Sequence, residues 1–95
     1  MSDDTSAIDF SIRIVNKDGE GIRGISVNVS YYISTDSQNT DEDGWAHFSH
    51  FTVAEKLVLG GTEVSEVTVG KRGRVVAEDL WIKNGDSFTY TVSED

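Results

Sequence analysis

The 95-residue chain contains no cysteine and no proline. The first absence excludes disulfide staples and thiolate metal sites, and leaves the redox compartment open. The second is unusual for a loop-rich chain. Basic residues are scarce: eight Lys and Arg stand against 17 Asp and Glu, for a net charge of −9. With no basic stripe to neutralise phosphates, the sequence argues against nucleic acid as a partner. An anionic membrane surface is disfavoured for the same reason, and a basic protein surface suits the charge better. No apolar run approaches the ~20 residues that span a bilayer, so membrane insertion is not expected. The opening MSDDTSAIDF has neither a basic n-region nor an apolar h-region, so no signal peptide is visible. The expectation is a soluble protein, cytoplasmic or exported without a cleaved signal.

What the sequence does have is period-two alternation. AIDFSIRIV sets Ile8, Phe10, Ile12 and Ile14 on one face, with Asp9, Ser11 and Arg13 on the other. GISVNVSYYI sets Ile25, Val27, Val29, Tyr31 and Ile33 inward and leaves Tyr32 outward, and DSFTYTV repeats the pattern with Phe88, Tyr90 and Val92. Such alternation marks strands with one wet face, and the β-branched and aromatic residues suit a half-buried pleat. Between the runs lie NKDGEG, TDEDG, LGG, VGKRG and KNGD, each with a glycine for positive φ. The spacing predicts about seven strands, over 8–15, 24–33, 45–51, 56–59, 63–69, 74–83 and 87–93. It implies an all-β sandwich occupying 8–93 behind a flexible acidic N-terminus, 1–7. FTVAEKLVLG is the one stretch where a short helical turn fits. The predicted core includes Ile12, Ile14, Val27, Val29, Phe48, Val67, Val69, Leu80, Phe88, Tyr90 and Val92.

One predicted strand contradicts itself. In 74–83, Val75 and Ala77 share one parity while Leu80 and Ile82 share the other. A bulge near Glu78–Asp79 reconciles them and turns both acids and Trp81 outward. The competing reading buries Trp81 and leaves Leu80 out.

The acidic stretch NTDEDGWAHF raises the question of calcium. Acids at 41, 42 and 43 before Gly44 do not follow the alternating spacing of a calcium loop, and no acid stands six residues beyond the glycine. Asp18, Glu20 and Asp36 lie in other loops. The simpler reading is a turn in which Asp41 bonds the backbone ahead of it and Gly44 supplies a φ that other residues resist.

IRIVNKDGEGIRGISVNVSYY followed by NTDEDGWAHFSHF resembles the start of a transthyretin-like, carboxypeptidase-regulatory-like β-sandwich. NKDGEGIRG stands for the family's first turn, ISVNV for its valine-rich second strand, and Thr40, Asp41 and Gly44 for its T-D-x-x-G element. Ile22 sits where that family commonly has proline, and no G-x-Y turn follows the aromatic strand. The resemblance covers about residues 8 to 51 and implies an immunoglobulin-like (transthyretin-like) sandwich of antiparallel strands. It puts Ala46 and Phe48 inward, and Trp45, His47 and Ser49 outward. Hydroxyisourate hydrolases of that fold carry a Tyr-Arg-Gly-Ser tetrapeptide that this sequence lacks.

No constellation points to catalysis, and no cofactor or metal site is expected. His47 and His50 are the only histidines; three apart on a strand, they face opposite sides and do not chelate one ion together. GKRGR holds three of the eight cations but no phosphate-loop pattern, and reads as a solvated hairpin tip. Lys17 and Asn84 are poorly placed for the isopeptide bond of related adhesin sandwiches. The reading is therefore a non-enzymatic protein-binding or structural module, of the kind that the resemblance places in surface, secretion or assembly machinery. Its candidate contact residues are Tyr32, Trp45, His47 and Trp81, and an edge strand offers a second route, including self-association. The alternative is a carbohydrate-binding module that stacks sugars on its exposed aromatics.

Overall fold

A computed structural model describes residues 5–32, 34–53 and 61–92. They form seven strands: β1 (Thr5–Val15), β2 (Ser26–Ser30), β3 (Thr35–Asn39), β4 (Trp45–Val53), β5 (Gly61–Val69), β6 (Arg74–Lys83) and β7 (Ser87–Thr91). A three-stranded sheet has the order β4-β1-β7, and a four-stranded sheet the order β3-β2-β5-β6. The chain is thus all-β, in two sheets. The alternating apolar residues of β1, β2 and β4 meet between them: Ile8, Phe10, Ile12, Ile14, Val27, Val29, Ala46 and Phe48 are all buried. Phe10 and Phe48 are register partners, and their rings stack at 5.2 Å. Within the four-stranded sheet, Val27 is paired with Val69 and Val29 with Val67 in the β2–β5 ladder. Each such side chain contributes about 1.5–3 kcal/mol when fully buried.

Several elements differ from the sequence reading. β1 begins at Thr5, inside the stretch assigned to the acidic tail, because Thr5, Ser6 and Ala7 pair with Val53, Thr52 and Phe51. The predicted strand 24–33 is shorter, and its chain turns back at Tyr31, whose N–H donates to the Ser34 carbonyl at 2.7 Å. β3 was not predicted. Its TDSQN sequence has no apolar alternation and only Asp36 is even half-buried; it is a strand because its backbone pairs with β2 from Ser26↔Asn39 to Ser30↔Thr35. Polar sequence is normal on such an edge. The strands are not all antiparallel: β1 and β7 run parallel from Ser11↔Ser87 to Val15↔Thr91. Alternation reports which face is wet, never the direction of a neighbour. The predicted strand 56–59, the helical turn in FTVAEKLVLG and the facing of Ile33 lie outside the described residues.

Of the predicted core, Leu80, Phe88 and Tyr90 are half-buried and packed against it, and the others are buried. Sequence reasoning left Val15, Val64 and Ile82 off the core list; all three are buried.

The parity conflict in β6 is resolved at Asp79, which has φ +53° in mid-strand. Val64↔Leu80 and Glu66↔Glu78 are paired, while Ser65 and Asp79 between them are not. Both strands reverse facing there: Thr62 and Val64 are buried before the break, Val67 and Val69 after it. Because the two strands turn together, no residue is added and the register holds. The bulge itself lies further back, between Val67 and Thr68 of β5, where Val76 of β6 is left without a partner. The reversal is thus where the sequence placed it, and the extra residue is not. Trp81 is half-buried opposite exposed Glu63, with indole Nε1 and Cε2 2.9 and 3.0 Å from where a Cβ on Gly61 would stand.

A left-handed aspartate is tolerable where a β-branched residue is not. Asp79→Gly is expected to leave stability unchanged or raise it by up to about 1 kcal/mol, and Asp79→Val to lower it by about 1–2 kcal/mol. Urea unfolding of the two variants checks this; a valine variant as stable as the parent would show that the left-handed turn is dispensable.

Candidate functional site

The acidic stretch before β4 is a turn built on the carboxylate of Asp41. Asp41 Oδ1 accepts from the N–H groups of Asp43 and Trp45 at 2.9 and 3.0 Å. The Asp41 N–H donates to the Trp45 carbonyl, and the Gly44 N–H to the Asp41 carbonyl. The Trp45 N–H, followed by that of Asp43, holds the Asp41 carboxyl below its ordinary value. Buried Thr40 joins this turn to the one before β2: its hydroxyl donates to the Ile22 carbonyl and accepts from the Ile25 N–H. Gly44 has φ +87°, and a Cβ there would collide with the Ile14 carbonyl oxygen and the Gly21 Cα. Among the described residues, no three His, Cys, Asp or Glu side chains form a set able to hold a metal ion.

With its start fixed, β4 alternates strictly. Ala46 and Phe48 are buried, while Trp45, His47, Ser49 and Phe51 share the opposite parity, on the outer side of the three-stranded sheet. Arg13, the register partner of Trp45, places its guanidinium 5.8 Å from the indole centroid, and its Nε donates to the Asp43 carbonyl at 2.9 Å. The His47 ring lies parallel to the indole within 7°, centroids 6.3 Å apart. Its Nδ1 is 2.7 Å from Ser11 Oγ, on its own register partner. Phe51 is 71% exposed. An open depression of about 630 Å³ spreads from here, lined by Trp45, His47, Ser49 and Ser11, by Asp9, Asp86 and Ser87 of the same sheet and the loop before β7, and by Asp36 and Gln38 of β3.

The structure separates the four predicted contact residues into two groups. Trp45 and His47 are neighbours on the three-stranded sheet. Tyr32 and Trp81 belong to the other sheet, where exposed Tyr32 donates its hydroxyl to Asp79 Oδ1 at 3.4 Å and Trp81 covers Gly61. Phe51 was missed, although one further step of the parity that sets Trp45, His47 and Ser49 outward finds it. The two histidines do face opposite ways: His50 stacks on the buried Tyr31 ring, centroids 3.7 Å apart.

Ser11 and His47 make the contact of a nucleophile and its base, which no sequence motif signalled. Among the described residues, no hydrogen bond from a third group orients the other imidazole nitrogen, and both side chains lie on an open sheet surface. The pair is a cross-strand hydrogen bond between register partners. Lys17 is exposed in the first turn, and Asn84 Oδ1 is occupied by the Asp9 N–H at 2.9 Å. Lys71, Arg72 and Arg74 form an exposed hairpin tip.

No protein-family model matches the chain, and no curated protein matches it in sequence.

Two variants test the turn. Gly44→Ala is expected to cost more than about 2 kcal/mol in chemical denaturation, since it adds a clash with backbone to a left-handed φ. Asp41→Asn is expected to be less stable than the parent at neutral pH, with the gap closing as pH falls below 3.8, the carboxyl's ordinary value. The sign comes from a folded pKa below the unfolded one: the carboxylate's contribution is present above the unfolded value and lost on protonation of the fold. Unfolding curves across acid pH check it; a gap that does not change with pH would show that the carboxylate's charge plays no part in the turn.

Proposed function

We propose that the chain is a non-enzymatic binding or structural module that docks a protein partner on the outer face of its three-stranded sheet. The observation that carries this reading is the row Trp45, His47, Ser49 and Phe51 along one side of an edge strand. Aromatic side chains on a flat, solvent-facing strand are what interfaces draw their affinity from, and a phenylalanine with 71% of its surface in water gives the fold little in return. Among the described residues β4 is an edge strand, so a partner strand can extend the sheet while its side chains meet the aromatics. A basic partner surface fits the net charge of −9.

The transthyretin-like resemblance supports a module of this kind, appended in surface, secretion or assembly machinery. In its favour, Thr40, Asp41 and Gly44 each have a distinct structural task in the turn, as residues of a fold-defining motif should. The carbohydrate reading has less support at this face, because the guanidinium of Arg13 lies over the indole that a sugar ring would stack on.

The test is cross-linked capture from the native source, followed by titration of the purified partner in a calorimeter. Phe51→Ser and Trp45→Ala are each expected to weaken binding about tenfold or more, while Tyr32→Ala on the opposite sheet leaves it unchanged. Phe51→Ser is expected to leave the melting temperature within a degree or two of the parent, since surface substitutions rarely exceed about 0.5 kcal/mol. A partner lost only with Tyr32→Ala or Trp81→Ala moves the site to the four-stranded sheet. Signal on a glycan array, abolished by Trp45→Ala, would replace the protein-binding reading with the carbohydrate one.

A further inference from the structure

The inner side of β4 carries a feature that the docking face does not use. Tyr31 follows β2 in the four-stranded sheet, and His50 lies on β4 at the edge of the three-stranded one. Their rings stack with centroids 3.7 Å apart and planes within 12°. The pair therefore spans the open side of the sandwich, where the edge strands β3 and β4 lie against each other. Tyr31 is 6% exposed, and among the described residues its buried hydroxyl has no hydrogen-bond partner. A buried polar group left unpaired weakens a fold, so the seam here rests on the packing of the two rings.

Among the described residues, the groups that face His50 come from around three strands. Tyr31 follows β2, and half-buried Asp36 from β3 influences both rings. On β1 the register partner is Ile8, which is apolar and buried. Burial disfavours the imidazolium and sets His50 below its ordinary 6.5, with the Asp36 carboxylate working more weakly the other way. A tyrosine face also attracts a cation, but here that cation must be made inside the seam. Burial, aided by Asp36, pushes the Tyr31 phenol up, so it keeps its proton across the physiological range. His50 is then the member of the cluster whose charge changes near neutrality.

We infer that the Tyr31–His50 stack is a pH-sensitive latch between the two sheets: the neutral imidazole closes the seam where β3 and β4 lie against each other, and its protonation loosens His50 of β4 from Tyr31. The sign comes from linkage. Above pH 6.5 both folded and open forms carry a neutral His50, and the latch is closed. As pH falls below that value the open form takes up a proton that the closed form resists. The ratio of open to closed rises about tenfold for each unit by which the closed-state value lies under the open one. The latch stands on its own geometry and does not depend on the proposed docking face.

Hydrogen exchange on the full chain, followed by NMR from about pH 7.5 to about pH 5, reads the latch directly. The reporter is the Tyr31 amide, which donates to the Ser34 carbonyl at 2.7 Å. Its protection is expected to be lost progressively as pH falls over this range, while amides in the β1–β7 ladder hold theirs. A parallel imidazole titration is expected to place His50 below 6.5. Asp36→Asn removes a charge that favours the imidazolium and should move the imidazole titration to lower pH. His50→Gln should make Tyr31 protection independent of pH. The inference is overturned if Tyr31 protection is flat with pH in the parent, if His50 titrates at or above 6.5, or if His50→Gln leaves the pH dependence in place. Should His50→Gln fail to fold, the parent titration and Asp36→Asn decide: an imidazole titration that Asp36→Asn does not lower also overturns it.

Discussion

Two backbone turns are pressed together at one end of this sandwich, and their contact sets both the register of β4 and the facing of its aromatic row. Gly44 and Gly21 approach so closely that neither has room for a Cβ. Thr40 ties the pair together by bonding Ile22 and Ile25 on the facing turn, and Asp41 caps the start of β4 through the Trp45 N–H. A strand whose first residue is held this way has no freedom of register. One residue of slippage would turn Ala46 and Phe48 into water and drive Trp45 and His47 into the core. The outward row is thus a consequence of how the turn is built. The same turn engages one Asp41 carboxylate oxygen with two backbone N–H groups, and the Asp43 carbonyl with Arg13.

A second constraint operates across the molecule, where β5 and β6 reverse facing together. A lone bulge would have displaced the whole register of the hairpin. Instead Ser65 and Asp79 drop out of the ladder opposite each other, and valines and leucines on both sides of the break still reach the core. The arrangement depends on a residue that accepts φ +53°, and aspartate is among the few that do. It also explains why Tyr32 and Trp81 are poor companions for Trp45 and His47. Trp81 covers the backbone at Gly61, and Tyr32 reaches the kink at Asp79, so both are engaged with the structure of their own sheet.

The all-β class, the inward faces of β1, β2 and β4 and the task of the acidic turn were legible because each rests on a local rule: alternation, or the turn chemistry of Asp and Gly. β3 was illegible because TDSQN has no apolar face to alternate, and its strandedness lies in pairing with β2. The parallel β1–β7 pair was hidden for a related reason, since side-chain parity is blind to direction. The reversal in β6 was visible as a clash of parities, but not the partner reversal in β5, which keeps the register. At the candidate site, Trp45 and His47 were found by parity and Phe51 was one step further along it. The Ser11–His47 and Tyr31–His50 contacts were invisible, because each joins residues at least 19 apart in sequence that only the sheets bring together.

The turn, the aromatic row and the stacked seam all converge on β4. Among the described residues it is an edge strand, paired on one side by β1, and its two faces carry opposite kinds of ring. Outside, Trp45 and His47 lie beside Arg13, whose charge is already engaged by the indole and a backbone carbonyl, while Phe51 stands in water. Inside, His50 rests on the ring of Tyr31, whose hydroxyl has no hydrogen-bond partner among the described residues. The turn at the start of the strand holds the outer row, and the seam near its end holds the inner stack. The β1 ladder joins the two, running from Arg13↔Trp45 to Thr5↔Val53, so the facing that the turn imposes on Trp45 is carried residue by residue to His50 and Phe51.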